Sequence, residues 1–173
     1  MAFDTLSTDT NLAGYYRIAD SALGQSVVQR LGGTALPVSR VQFEWGTGNG
    51  QANALYISPP RTVTATTADN LNLSSLVMGG QTFSLTKVKY VLIAISSPDG
   101  TKSLRVGPRG VSNAAQLWAG GTGATNYESV YTYREWIEPY TGYAVTASTA
   151  DILGIYNPGA GSVTYGVVII GLD

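Results

Sequence analysis

The feature that most constrains this chain is a pair of segments whose apolar residues fall on consecutive positions. One is Val167-Val168-Ile169-Ile170, and the other is Val91 to Ile95, within the longest β signal, Thr82 to Ser97. Since side chains of a strand point to opposite faces in turn, both segments predict strands that are buried on both faces. We expect Lys87 to Ser96 and Val163 to Ile170 to be interior strands. One face should lie in the core, and the other should meet a helix, a loop or another subunit.

The remaining pattern predicts an all-β protein. Glycine is abundant, with 21 residues, and Thr, Ser, Val and Tyr recur throughout, as is typical of short strands and tight turns. Successive strands without alternating helices favour an antiparallel β-sandwich with a jelly-roll-like arrangement. Only Asp20 to Leu31 resembles a helix, although Gly24 weakens it by roughly 1 kcal/mol. We therefore assign residues 1–33 to an N-terminal arm or short helix, and residues 34–173 to a single β-sandwich domain.

Two turns predict hairpins. Ser97-Pro98-Asp99-Gly100 has Pro and Gly at the second and fourth positions of a turn, so Lys102 to Val106 is expected to pair back on the preceding strand. Asn157 to Gly161 separates two β-rich runs. We expect those runs, Asp151–Tyr156 and Val163–Ile170, to pair as a closing hairpin.

Composition and charge exclude several classes of function. Charged residues make up 12% of the chain, about half the usual share, and ten basic against eleven acidic side chains give a net charge of −1. No basic patch points to nucleic acid, and no run of about 18 apolar residues predicts a membrane helix. Met1 to Asp20 lacks the pattern of a secretory signal. With neither cysteine nor histidine, the chain cannot use disulfides, thiolates, Ser–His or Cys–His catalysis, or His-ligated zinc.

An aromatic-rich stretch from Tyr127 to Tyr143 provides the candidate interaction residues. Tyrosine and tryptophan are enriched at interfaces, and exposed coplanar rings would suit a sugar. Val168 and Ile170 join the set because they lie on the two-sided apolar strand. The interface candidates are Tyr127, Tyr131, Tyr133, Trp136, Tyr140, Val168 and Ile170.

The acidic residues favour structural roles. Glu128, Glu135 and Glu138 form the one acidic cluster of the sequence, and a polysaccharide hydrolase built on Glu128 or Glu135 is the least favoured class of function. Asp69, Asp99 and Asp151 stand beside turns without the spacing of a calcium loop, so we expect caps rather than metal ligands. We predict no catalytic residue, no metal and no cofactor.

Three segments of the chain resemble a known group of proteins. They are ANALYISPPRTVTATTADNLNLSSL, LTKVKYVLIAISSPDGTKSLRVGP and TGYAVTASTADILGIYNPGAGSVTYGVVIIG, and together they span most of Ala52 to Gly171. The segments are similar to small, uncharacterised structural proteins encoded in the structural-gene modules of tailed bacteriophages and prophages. The last segment carries the most distinctive part of the pattern.

The resemblance implies a virion component that is not an enzyme. We expect a capsid decoration (cement) or minor head protein, made in the host cytoplasm, that oligomerises and binds the particle surface. Its partners would be further copies of itself, with a trimer favoured, and other virion proteins such as the major capsid protein. The alternative is a tail-associated receptor or glycan-binding module, for which a glycan is the partner. Exposed coplanar rings would favour the alternative, and buried rings the first function.

Overall fold

The computed structural model describes residues 41–96, 98, 100–108, 113–115, 117 and 126–173, together with three short N-terminal strands. These strands are β1 (Thr5–Thr8), β2 (Ile18–Ala19) and β3 (Ser26–Val27). Contacts divide the chain into two units, residues 1–53 and 54–173. The predicted boundary after residue 33 lies outside the described residues, as does the predicted helix Asp20 to Leu31 apart from β3. Every described element is a strand, which confirms the all-β class.

The first unit contains a small three-stranded sheet. Strand β4 (Val41–Trp45) lies at its centre, antiparallel to β1 and parallel to β5 (Gln51–Ala52). The loop between β4 and β5 folds back on itself, because the Gly48 amide donates to Gln51 Oε1 at 2.8 Å. In the same unit, β2 and β3 form an antiparallel pair.

The second unit contains two antiparallel sheets, which we call sheet I and sheet II, and a small hairpin. Sheet I consists of β6 (Ala54–Ile57), β7 (Arg61–Val63), β11 (Lys87–Ile95), β14 (Tyr133–Ile137), β15 (Tyr143–Ala144) and β17 (Val163–Leu172). Sheet II consists of β8 (Ala68–Asn72), β12 (Leu104–Val106), β13 (Glu128–Val130) and β16 (Ile152–Tyr156). The hairpin pairs β9 (Leu76–Met78) with β10 (Gln81–Phe83).

The two segments with consecutive apolar residues are the interior strands of sheet I, as predicted. Strand β11 pairs with β17 on one side and with β14 and β15 on the other. Strand β17 pairs with β11 and, on its far side, with β6 and β7. Both long strands therefore have neighbours on both edges, so their backbone groups are satisfied within the sheet.

Both faces of β17 are buried. Val167 and Ile169 belong to the main hydrophobic cluster, each with no exposed surface. On the other face Val168 and Ile170 are 1% and 0% exposed, and Val168 lies opposite Leu92 on β11. The sequence pattern thus correctly indicated a strand with no solvent-facing side over these four residues.

A close approach between β11 and β17 requires glycine. The register between the two strands shifts between Val88 and Tyr90, which is the signature of a β-bulge. Gly171 pairs with Val88 next to this shift, and a Cβ atom on Gly171 would overlap the carbonyl oxygen of Lys87. The bulge therefore brings the backbone of β11 against a position where no side chain fits.

Both predicted hairpins are wrong. The strand after the Ser97–Gly100 turn is β12, which pairs with β13 and β16 in sheet II and not with β11. The strands on either side of Asn157–Gly161 also separate, because β16 pairs with β8 and β12 whereas β17 belongs to sheet I. At both turns the chain passes from one sheet to the other.

The side chain of Asn157 explains the second crossing. Asn157 is fully buried, and its Nδ2 donates to the carbonyl oxygens of Val63, Thr64 and Gly161 at 3.2, 3.1 and 2.7 Å. Its Oδ1 accepts from the Gly159 amide at 2.9 Å. The amide therefore binds backbone groups of its own loop and of the distant end of β7, which holds this connection against β7.

The stretch from Tyr127 to Ile137, whose alternating residue types would suit one strand, contains two strands in different sheets. Strand β13 pairs with β12 in sheet II, and β14 pairs with β11 in sheet I. The chain changes sheet at Tyr131-Thr132, where the Thr132 carbonyl accepts from the Ile95 amide at 2.8 Å. A continuous alternation of residue types therefore concealed a change of partner.

One hydrophobic cluster collects residues from both sheets of the second unit. From sheet I it includes Val91 and Ile93 of β11 and Tyr165 of β17. From sheet II it includes Leu104 and Ile155, each with no exposed surface. The inward face of each sheet thus contributes to the same core.

Candidate functional site

Exposed large apolar side chains are concentrated around strand β14. Among the described residues there are five of them, and three belong to one stretch of ten positions. These three are Tyr131, Ile137 and Tyr140, which are 60%, 38% and 67% exposed. Strand β14 also lies at one edge of sheet I among the described strands, whereas β6 and β7 lie at the opposite edge. We call these three side chains and β14 the aromatic edge.

The other predicted interface residues are less accessible. Trp136 is 6% exposed and belongs to the hydrophobic core, while Tyr127 and Tyr133 are half-buried. Val168 and Ile170 are buried within the chain. The structure therefore leaves Tyr131 and Tyr140 as the accessible members of the predicted set.

Tyr131 and Tyr140 do not share one flat platform. At the end near Tyr131, the Thr132 carbonyl accepts a hydrogen bond from the Ile95 amide. At the end near Tyr140, the Glu138 amide donates to the Lys89 carbonyl at 2.8 Å. Ile95 and Lys89 are six positions apart on β11, so the two ends of β14 are separated by roughly 20 Å along the strand. A single ring platform that spans the whole aromatic stretch is therefore not formed.

A buried lysine supports the end of the aromatic edge that carries Tyr140. Lys89 is 1% exposed, and its Nζ donates to the Tyr140 carbonyl at 3.1 Å. Burial lowers the pKa of Lys89, the charge of Lys87 lowers it further, and the charge of Glu138 opposes both. The Tyr140 amide in turn approaches Glu138 Oε1 at 3.3 Å. The exposed Tyr140 ring thus projects from a segment that is anchored to β11.

Glu128 and Glu135 lie on surfaces that do not face each other. Glu128 on β13 binds Arg134 on β14 at 2.6 Å, so this pair joins sheet II to sheet I. Glu135 lies opposite Leu92, on the face of sheet I that carries Val168. Since Glu128 is inward-facing on sheet II and Glu135 lies on the far face of sheet I, they do not face each other across a common cleft.

Asp151 caps a loop, as predicted. It is 2% exposed and accepts from Ser74 Oγ, Asn113 Nδ2 and the Ser148 amide at 2.7, 2.8 and 2.9 Å. Burial alone would raise the pKa of Asp151, but these hydrogen bonds outweigh it and the pKa is lowered. The carboxylate has no cation within this network, so its negative charge is held by neutral donors.

Asp69 was predicted to cap a turn, and this prediction is wrong. Its two oxygens accept from Arg61 Nη2 and Nε at 2.6 and 2.7 Å, and Oδ2 also accepts from the Tyr165 hydroxyl at 2.7 Å. The bond to Arg61 lowers the pKa of Asp69, whereas burial and Asp69 raise the pKa of Tyr165. Asp69 is thus part of a link between β8 of sheet II and two strands of sheet I.

A second group of polar and aromatic side chains was missed in the sequence. Arg105 lies on the outward face of sheet II, because its neighbours Leu104 and Val106 are in the core. Its guanidinium carbon lies 4.5 Å from the centre of the Tyr127 ring, and Tyr156 and Ser129 are directly opposite Arg105 on the two adjacent strands. In the sequence, Arg105 stands alone between two apolar residues, which indicates an outward-facing arginine. The residues that surround it come from other strands, so the group could not be predicted.

The described residues hold no cluster of acidic side chains suited to a metal ion, and they include no helix long and apolar enough to cross a membrane. The crevice beside Gly107, Leu117 and Gly154 is too narrow to accept a ligand. No protein-family model, no curated protein and no solved structure matches the chain.

Proposed function

We propose that this protein is a non-enzymatic structural protein of a bacteriophage particle. In this role it is a capsid decoration or minor head protein that oligomerises and binds the particle surface. The sequence resemblance supplies the biological setting. The aromatic edge is the observation in the molecule that supports assembly.

The aromatic edge has the properties of a subunit contact. Two tyrosines more than half exposed and a partly exposed isoleucine flank one outer strand, and tyrosine contributes large contact areas at low entropic cost. An outer strand also offers unpaired backbone groups to a neighbour. The low charge of the chain, 12% of residues, provides little repulsion against such contacts.

We further propose that sheets I and II form a β-sandwich of the jelly-roll kind. The shared hydrophobic core supports this arrangement, since residues of both sheets contribute to it. Two ion pairs add support at opposite edges. Arg61–Asp69 joins β7 to β8, and Arg134–Glu128 joins β14 to β13.

The test of this function is the composition of the phage particle. Particles are purified from a lysate of the strain that carries the gene, and the protein is sought by mass spectrometry and by antibody labelling in electron micrographs. We expect the protein in the particles, with label on the heads. Label confined to the tail tip would favour the receptor or glycan-binding alternative. Protein present in the lysate but absent from the particles would contradict a virion role.

A further inference from the structure

The outward face of sheet II presents an arginine, Arg105, that has no acidic partner among the described residues. The two carboxylates of this sheet, Asp69 and Glu128, lie opposite the core residues Ile155 and Val106 and are held by Arg61 and Arg134. In the part of the chain that the structure describes, Arg105 has no carboxylate partner. Its guanidinium lies over the Tyr127 ring. Since no carboxylate of the described ranges uses them, its N–H donors can bind a ligand.

Stacking on Tyr127 prepares Arg105 for binding an anion. A guanidinium above an aromatic ring is held by the ring's negative face, which restricts the long side chain without consuming its planar fork of donors. Such a fork binds a carboxylate through two parallel hydrogen bonds. Arg105 is half-buried, so less of this attraction is lost to solvent than at a fully exposed arginine.

The surroundings of Arg105 suit a sugar more than a protein partner. The side chains nearest to it carry hydroxyl groups and aromatic rings: Ser129 and Tyr156 lie directly opposite, and the Tyr127 ring lies against the guanidinium. On β8, Ala68 lies opposite Tyr156, and Asn70 is the next outward position. The aliphatic side chains at the outward positions of the four strands are the exposed Ala68 and the half-buried Ile152. A protein interface usually has an apolar centre. A sugar carries many hydroxyl groups, and these need hydrogen-bond donors and acceptors on the protein surface.

We propose that the outward face of sheet II, centred on Arg105, binds a carboxylated sugar such as a uronic acid unit of a polysaccharide. Arg105 receives the carboxylate, and the neighbouring side chains of Ser129, Tyr127 and Asn70 receive hydroxyl groups of the sugar. This inference does not depend on the assembly role proposed above. Self-association is measured as the mass of the protein in solution, whereas sugar binding is measured as heat or as a change in chemical shift. Either proposal can therefore be contradicted while the other holds.

The test uses the full chain and a galacturonic acid trisaccharide, titrated by calorimetry and by amide chemical shifts in NMR. Its methyl ester is the matched neutral ligand, and a triglutamate peptide tests for recognition of any carboxylate. We expect the acid to bind, with shifts around Arg105 and Tyr127, and the ester and the peptide to bind much more weakly. Binding should also weaken as salt is added.

Two variants locate the site. Arg105→Gln should weaken binding of the acid roughly ten- to a hundredfold, because it removes a charged hydrogen-bonding group. Arg134→Gln removes the same charge at the exposed Arg134–Glu128 pair and should leave binding unchanged. Circular dichroism confirms that both variants fold. Absence of binding to the wild type, or equal losses in the two variants, would overturn the proposal. Equal binding of triglutamate would indicate a protein carboxylate instead of a sugar, and would overturn it too.

Discussion

Arg61 and Asp69 join the two sheets of the larger unit through a two-pronged ion pair. Arg61 Nη2 and Nε donate to the two carboxylate oxygens of Asp69 at 2.6 and 2.7 Å, across the connection from β7 to β8. Tyr165 on β17 donates its hydroxyl to the same carboxylate. Both ionic side chains are largely buried, with 25% and 20% exposure, so solvent screens this pair less than a surface pair.

The stability of the protein should fall in acid because of this carboxylate and that of Asp151. The folded state lowers the pKa of both groups, so the unfolded chain takes up protons more readily. Their contribution is therefore fully present above about pH 4, the ordinary range of an aspartate, and is lost as the pH falls below it. Melting temperatures measured from pH 7 to pH 3 should show this decline.

A variant assigns part of that decline to Asp69. Asp69→Asn should lose about 1–3 kcal/mol at pH 7, because a charged hydrogen-bonded pair is replaced by weaker bonds, and should decline less steeply in acid. Glu44→Gln alters an exposed carboxyl in the other unit and should leave the profile unchanged. An Asp69→Asn profile parallel to that of the wild type would show that Asp69 does not contribute to the acid sensitivity.

The side chain of Asn157 should be essential for the connection between β16 and β17. Asn157→Ala leaves three carbonyl oxygens, of which that of Val63 is buried, and the Gly159 amide without this partner, at a cost on the order of 3 kcal/mol. Asn157→Asp should cost more at neutral pH, since a carboxylate would then face carbonyl oxygens. Denaturant titrations measure both. Asn70→Ala, at an exposed position, should change stability by less than about 0.5 kcal/mol. A harmless Asn157→Ala would contradict the proposed role of this amide.

Shortening a side chain on either face of β17 should lower the stability of the protein by a similar amount. Ile169 lies in the shared core and Ile170 on the opposite face, and both have no exposed surface. Ile169→Ala and Ile170→Ala should each lose about 2–5 kcal/mol of unfolding free energy, measured by chemical denaturation. If Ile170→Ala proved neutral while Ile169→Ala was damaging, the second face would not be packed in solution.

Gly171 should tolerate no side chain. Gly171→Ala places a Cβ atom against the Lys87 carbonyl, and backbone would have to move at the bulge, with an expected loss of about 1–3 kcal/mol or more. Gly166 lies on the same strand, and a Cβ there would meet nothing within 4 Å. Gly166→Ala is therefore the matched control and should be neutral or slightly stabilising. Equal melting temperatures for the two variants would contradict the close approach.

The sequence was most informative where a strand is buried on both sides. Consecutive apolar residues identified β17 and most of β11, because a strand that is buried on both faces has apolar residues at successive positions. The cap formed by Asp151 could also be predicted, since it lies beside its own turn. The prediction for Asp151 needed its near neighbour Ser148 alone, whereas the donors Ser74 and Asn113 come from distant parts of the chain.

The errors concern partners that are distant in sequence. Pro98 and Gly100, like Pro158 and Gly159, indicate that the chain turns, but they do not decide whether it returns to the same sheet or crosses to the other. Sheets that pack face to face are separated by about 10 Å, which a connection of five residues spans easily. Strand pairing, and the buried amide of Asn157, decide the outcome. The partners of Asp69 and Arg105 likewise become neighbours only once the two sheets have formed.

The mass of the purified protein in solution tests the assembly role most directly. We expect light scattering at micromolar concentration to give a whole-number multiple of 18.1 kDa, with three copies favoured. Tyr131→Ser combined with Tyr140→Ser should lower that mass, whereas Val77→Ser, at another exposed position, should not. A wild-type mass of 18.1 kDa across the whole concentration range would contradict self-association through the aromatic edge.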